Sequence, residues 1–350
     1  MARKKSDIGK LVKRFTFDPL PKGFVLAKPV KQEAYDEAEI YELEKSGGLI
    51  ITRKRNGWKL FAVKDKDQWK LYTDGLREVT FLDHIKKELD RSRPASNGTV
   101  LVGEAVVPDA KNGDALNRVQ SVFGSSPDRA LEKQKELGQV KYRLFDIMFL
   151  NKAPVFNCYA YSWRLMMLDR MFGSNQSETV AAVEKLNVRF DEAKEQATRE
   201  GWEGLVLYDK LFISSFRLDG KDPQRIRGCY KWKPIKEDDF IVRWWVGDDD
   251  KHPRYVKEVL LSQIDPVTKT EFDCGKFGLF TKEMREKLMD SKLYPFVLEL
   301  RFDERFESGK LQAARFVRTR DDKKVDDCIS PVSYPKATPF NSGPRKKTKK

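Results

Sequence analysis

Three kinds of residue in this 350-residue chain have the type and spacing for phosphate chemistry: a lysine beside a glycine turn, carboxylates at the ends of apolar runs, and two lysines two positions apart. The lysine is in Lys54-Arg55-Asn56-Gly57-Trp58-Lys59, between two apolar stretches. At a strand end, a glycine turn can point such an amine into a pocket. The amine becomes nucleophilic once desolvation or neighbouring cations free its lone pair. Gly57 would let a phosphate approach the backbone closely. Taken alone, a lysine beside a hairpin is better explained by solvation.

The carboxylates are Glu104, in Leu101-Val102-Gly103-Glu104, and Glu203, in Glu200-Gly201-Trp202-Glu203-Gly204. A carboxylate leaving an apolar strand needs a cation, a metal or a hydroxyl. A buried ion pair would satisfy Glu104, and a solvated turn would satisfy Glu203. In Arg143-Leu144-Phe145-Asp146-Ile147, Phe145 is either core or a platform for a purine ring. In Tyr230-Lys231-Trp232-Lys233-Pro234, a strand would put Lys231 and Lys233 on one side. On a buried face they need an anion between them; on an exposed face they are solvated. The last segment, Ala314 to Lys323, reads as a strand running into a charged end, and it contains Arg320 and Lys323.

These residues need a scaffold. Gly48–Thr52, Trp58–Val63, Trp69–Tyr72, Val100–Val107, Val140–Leu150 and Gly204–Tyr208 read as strands. Thr80 is placed to cap a helix over Phe81, Leu82, Ile85 and Leu89, and Ser126-Pro127 to start one that ends near Gly138. This gives an α+β block with mainly antiparallel sheets. After Pro234 come strand-like runs at Phe240–Val246, Val256–Leu261, Phe296–Phe302 and Leu311–Arg318, with one helix near Lys282–Met289. A short β-rich block with one helix is compatible with an OB-type barrel. The charged run Lys236-Glu237-Asp238-Asp239 is the expected hinge. The expected divisions are a basic segment 1–23, a first domain 24–236, a second 237–328 and a basic tail 329–350, whose end, Arg345 to Lys350, could track phosphates.

Composition sets the class of partner. The net charge is +14, from 68 basic and 54 acidic residues, which suits a polyanion but does not distinguish DNA, RNA or membrane. No stretch is apolar for the roughly 20 residues needed to cross a bilayer, and no signal peptide follows Met1-Ala2-Arg3-Lys4-Lys5. Cys158, Cys229, Cys274 and Cys328 form no C-x-x-C pair, and His84 and His252 are the only histidines. A structural zinc site is therefore disfavoured, and the cysteines read as intracellular thiols.

The order of the motifs is more specific than any one of them. Lys54 with Gly57, then Gly103-Glu104, Phe145-Asp146, Glu203-Gly204, Lys231-x-Lys233 and Arg320-x-Asp322-Lys323 resembles the six motifs of the covalent nucleotidyltransferases. Val25-Leu26-Ala27-Lys28-Pro29-Val30, Phe277-Gly278-Leu279-Phe280-Thr281 and Arg315 to Lys323 extend the likeness to ATP-dependent DNA ligases of the minimal, phage-like kind, over roughly residues 24–325. The resemblance implies a nucleotidyltransferase (ATP-grasp-like adenylation) domain followed by an OB-fold domain.

It also implies roles. Lys54 would attack the α-phosphorus of ATP and carry AMP. Arg53 and Lys59 would contact the nucleotide, and Phe145 would stack on adenine. Glu104 and Glu203 would contact ribose or hold magnesium, which prefers oxygen ligands. Lys231 and Lys233 would grip the α-phosphate, and Arg320 and Lys323 would orient the pyrophosphate. The implied substrate is nicked duplex DNA, and the implied protein is a monomer in the cytoplasm of a prokaryotic or virus-infected cell. Three positions depart from the pattern: Asn56 stands where Asp is usual, Lys59 where Arg is usual, and Tyr72-Thr73-Asp74-Gly75 lacks an arginine before its glycine.

RNA joining or RNA capping would use the same chemistry, and a non-catalytic OB-fold nucleic-acid binder would explain the charge. An NAD-dependent ligase would need a further N-terminal module and a four-cysteine zinc site, and neither is visible.

Overall fold

The computed structural model describes residues 20–91, 95–108, 114–173, 177–247 and 256–341. Most of the basic N-terminal segment, and the tail from Arg345 to Lys350, lie outside the described residues. The chain divides into two compact units between Pro234 and Ile235.

The first unit is built on two sheets. The larger runs in the order Val180–Ala182, Lys141–Leu150, Val100–Val106, Trp58–Asp65, Gln68–Thr73, Glu78–Val79. Alternation along these strands makes both of its faces apolar. Leu60, Ala62, Leu101 and Leu144 pack under helices Asp83–Arg91, Leu116–Phe123 and Tyr161–Phe172. Phe61, Val63, Val100 and Val102 pack on the opposite side with Phe24 and Phe156.

The smaller sheet runs Lys185–Leu186, Leu49–Lys54, Gly204–Asp209, Arg225–Trp232, Lys28–Val30. Ile51, Leu205 and Leu207 pack against helices Glu37–Lys45 and Phe190–Arg199. Two strand pairs here are parallel, Val180–Ala182 with Lys141–Leu150 and Arg225–Trp232 with Lys28–Val30; the other pairings in these two sheets are antiparallel.

The second unit holds a five-stranded antiparallel sheet in the order Glu271–Phe277, Val256–Ile264, Lys236–Gly247, Phe296–Phe302, Arg315–Thr319. Its core gathers Phe240, Val242, Leu261, Leu298 and Leu300. Thr281 caps the short helix Lys282–Lys287 by accepting the Met284 amide at 3.3 Å.

Several expectations change. The charged run from Lys236 to Asp239, expected as a hinge, is strand rather than loop: it lies just after the division between the units, opens the strand Lys236–Gly247 and is paired through Phe302 to Glu299. Its charges are accommodated because Lys236 pairs with Glu304, Glu237 with Arg301, Asp238 with Arg305, and Asp239 with Arg320 and Lys323. Leu311–Arg318 is two strands, Leu311–Gln312 and Arg315–Thr319, broken at Ala313, which has a positive φ of 51°. The helix expected over Phe81 begins at Asp83, with Phe81 and Leu82 buried just ahead of it.

Candidate active site

Lys54 sits at the seam of the two sheets. It ends one strand of the smaller sheet, and four residues later Trp58 begins a strand of the larger one. Period-two alternation puts Ile50, Thr52 and Lys54 on one face. Val206 and Tyr208, and Cys229 and Lys231, line the same face from neighbouring strands. A cavity of about 360 Å³ opens there, lined across from them by Lys59, Glu104 and Phe145 of the larger sheet. That volume suits a small-molecule ligand.

Phe145 reaches the cavity through a register shift. Leu144 pairs with Gly103 and Asp146 with Val102, so Phe145 is an extra, unpaired residue. Such a bulge re-aims a side chain out of strict alternation. Here it turns the ring toward the cavity while Leu144 stays in the core.

Glu203 lies beside the cavity, at the strand end opposite Lys54. Gly204 pairs with Lys54, which brings the Glu203 carboxylate onto the Lys54 ammonium; its other oxygen accepts Lys233 at 3.0 Å. Burial pushes Glu203 up, but Lys54 and Lys233 together outweigh it and hold the carboxyl below its usual range. Lys231 lines the cavity, and its ammonium is held down by burial and then by Lys233 and Lys54.

Glu104 behaves differently. Among the described residues it forms no ion pair or side-chain hydrogen bond. Burial pushes it up to about 7; Lys54 and Lys59 oppose the rise and Glu203 adds to it. The folded carboxyl thus binds its proton more tightly than an unfolded one at 4.5. The resulting stability is complete below about pH 4.5 and is lost as pH rises through 7. Glutamine does not titrate, so Glu104→Gln is expected to gain in melting temperature over the wild type between pH 5 and pH 8. Thermal scans in a chelating buffer check this, and a constant offset across that range would refute it.

Lys59 faces the same cavity. Its ammonium lies 2.5 Å from Asp74, which also pairs with Lys28 at 3.3 Å. Burial lowers Lys59, and Asp74 works against that. The acid that stands where an arginine was expected therefore anchors the lysine that replaces another arginine.

Arg53 borders the cavity but points its guanidinium elsewhere. It lies 4.9 Å over the Trp202 ring and 3.6 Å from Asp114. Asp114 also accepts Arg55 at 3.4 Å and the Asn56 amide at 3.1 Å. That second bond fixes the turn after Lys54. Arg320 and Lys323 belong to the second unit, where both bind Asp239, at 3.0 and 2.7 Å.

Gly57 proves necessary for a different reason from the one expected. A Cβ there would lie 2.1 Å from the Ala105 carbonyl oxygen, so the close approach is that of the neighbouring strand. Gly57→Ala is expected to cost about 1–3 kcal/mol through overpacking. A urea titration checks this, with an unchanged midpoint as the contrary result.

Asp74, Asp114 and Arg164 were not picked out from the sequence. Asp74 stood out only as a missing arginine, and the other two lie in no motif. Among the described residues no three His, Cys, Asp or Glu side chains gather as a metal site. No described helix is long and apolar enough to cross a membrane. None of the four cysteines is in a disulfide.

Comparison with known proteins places the chain in a family. Residues 25–222 match the family model of the ATP dependent DNA ligase domain. A DNA ligase of Nanoarchaeum equitans is 22% identical over 247 residues, covering 69% of this chain and 42% of that protein. One from Methanococcus maripaludis is 22% identical over 284 residues, covering 74% of this chain and 41% of that protein. The chain thus spans less than half the length of these curated relatives. A solved Lig E DNA ligase shares the fold with a TM-score of 0.57 at 17% identity, over 85% of this chain and 98% of that one. With more than half its length matched and the lysine seam within the match, the chain belongs to the ATP-dependent DNA ligase domain family.

Proposed function

We propose that the chain is an ATP-dependent DNA ligase that joins a 5′-phosphate to a 3′-hydroxyl at a nick in duplex DNA, with AMP carried on Lys54. The observation that carries this is the convergence of Lys54, Lys231, Lys59, Glu104 and Phe145 on one nucleotide-sized cavity, with Glu203 paired to Lys54 beside it.

Lys54 Nζ attacks the α-phosphorus of ATP, the N–P bond forms, and the bond to pyrophosphate breaks. The proton leaves along the hydrogen bond to Glu203, which also aims the amine. Lys231 and Lys233 hold the α-phosphate, whose transfer depends on alignment and charge neutralisation. Phe145 stacks on the adenine, and Lys59, anchored by Asp74, holds the nucleotide from the other wall; Arg53 supports the site from behind. The 5′-phosphate of the nick then attacks the AMP phosphorus and releases the lysine. Finally the 3′-hydroxyl attacks the 5′-phosphorus and AMP departs.

Magnesium fits one of the two glutamates. Glu203 is committed to two ammonium groups, whereas Glu104 offers an uncommitted carboxylate oxygen, and magnesium is commonly held by one or two carboxylates with phosphates and water. Bound by Glu104, the ion would neutralise the triphosphate.

The antiparallel sheet and short helix of the second unit support reading it as an OB-type domain that follows an adenylation domain. Its Arg320 and Lys323 would orient the leaving pyrophosphate. The charge of +14 supports contact with the DNA backbone. The protein would act as a monomer inside the cell.

Incubation of the full chain with ATP labelled at the α-phosphate should label the protein at Lys54, as mapped by peptide mass, and nicked DNA should discharge the label. Absence of label would overturn this reading, and label retained with nicked DNA but lost to nicked RNA would replace DNA with RNA.

A further inference from the structure

Every nitrogen of the Arg320 guanidinium is engaged within the second unit. Nε and one terminal nitrogen donate in parallel to the two oxygens of Asp322, at 2.9 and 3.0 Å. The other terminal nitrogen donates to both oxygens of Asp239, at 3.1 and 3.0 Å. Lys323 donates to Asp239 as well, at 2.7 Å. A turn sets this up: the Lys323 amide donates to the Arg320 carbonyl at 3.2 Å, and the Arg320 amide donates to Val297 in the adjacent strand at 2.9 Å.

The two carboxylates differ in kind. Asp239 is buried in the strand Lys236–Gly247, with its side chain 10% exposed, whereas the Asp322 side chain is 65% exposed. A parallel two-point fork is also how arginine takes a phosphate. An exposed ion pair adds little net stability, so an incoming anion can exchange with it readily. A buried pair resists, because breaking it strands a charge.

We propose that Asp239 is a positioning residue holding Arg320 and Lys323 together as an anion clamp, and that Asp322 occupies the clamp in place of a phosphate until pyrophosphate displaces it. The choice of pyrophosphate rests on the function proposed above. Exchange breaks only the outer fork; Asp239 keeps both cations aimed. The hydrogen bonds from Arg320, largest among the causes, hold the Asp322 carboxyl down at about 2, so it competes as an anion across the physiological range.

The test is calorimetric titration of inorganic pyrophosphate into the full chain without nucleotide. Asp322→Asn should tighten binding by about threefold, the share an exposed pair can contribute. Asp239→Asn should weaken it by about tenfold, with partial rescue in Asp239→Glu. Asp321→Asn removes the same charge one residue away, outside the fork, and should leave the affinity unchanged. Arg320→Ala should erase the gain from Asp322→Asn. The proposal falls if Asp322→Asn binds no tighter, if Asp321→Asn matches it, or if the gain survives Arg320→Ala. Labelling of Lys54, measured in the same variants, separates the two ideas. Label without the ranking overturns the clamp alone, and the ranking without label supports the clamp and overturns the ligase reading.

Discussion

Lys54→Arg is expected to abolish formation of the AMP adduct, by a factor on the order of 10³ or more, because a guanidinium retains the charge without a usable lone pair. The arginine can still pair with Glu203, so the electrostatics of the cavity survive while the nucleophile is lost. This separates two roles that alanine would confound. The last step of the proposed sequence does not use the lysine, so Lys54→Arg should still seal a nick supplied with AMP already on its 5′-phosphate. Gel assays on adenylated and unadenylated nicks measure both. Comparable sealing of the unadenylated nick would show that Lys54 is not the carrier.

The second large effect concerns a residue outside every motif. Arg164 is fully buried and forks onto Asp146 at 2.6 and 3.1 Å; it also donates to the carbonyls of Phe212, at 3.1 Å, and Tyr159. One side chain thus ties helix Tyr161–Phe172 to the strand bearing Phe145 and to the loop at Phe212, which lines the cavity. Arg164→Leu leaves Asp146 charged and unpaired in the interior, a loss of about 3–5 kcal/mol. The double variant Arg164→Leu, Asp146→Leu should recover part of that, because the orphaned charge is gone while the Tyr159 and Phe212 carbonyls have lost the Arg164 donor, the second of them keeping the Tyr161 amide. Urea unfolding followed by tryptophan fluorescence reads this, since Trp58, Trp69, Trp163, Trp202 and Trp232 all lie in the first unit. A double variant no better than the single one would refute the stranded-charge explanation.

Continuous apolar runs made the strands legible. Trp58–Asp65 and Val100–Val106 are buried on both faces, and they lie where such runs put them. Helices Glu37–Lys45 and Phe190–Arg199 were missed because each buries only a narrow stripe, Ile40 in one and Phe190, Ala193 and Ala197 in the other. The strand at the charged run was missed because a run of charges does not read as strand. In the strand Lys236–Gly247 each charge has a partner brought from a distant segment, and spacing along the chain carries no trace of that. The same limit applies within the candidate site. Lys54 and Lys231 were legible as types in order, but the Asp74 bridge to Lys28 and Lys59 exists only after the strands are assembled.

The parallel pairing of Lys28–Val30 with Arg225–Trp232 closes the smaller sheet with its first and last strands. During synthesis, therefore, the wall carrying Lys231 cannot be completed until some two hundred residues have followed Lys28 out of the ribosome. The cavity wall is thus completed late, and a nascent chain halted before Arg225 would expose the apolar edge of Gly204–Asp209 to chaperones.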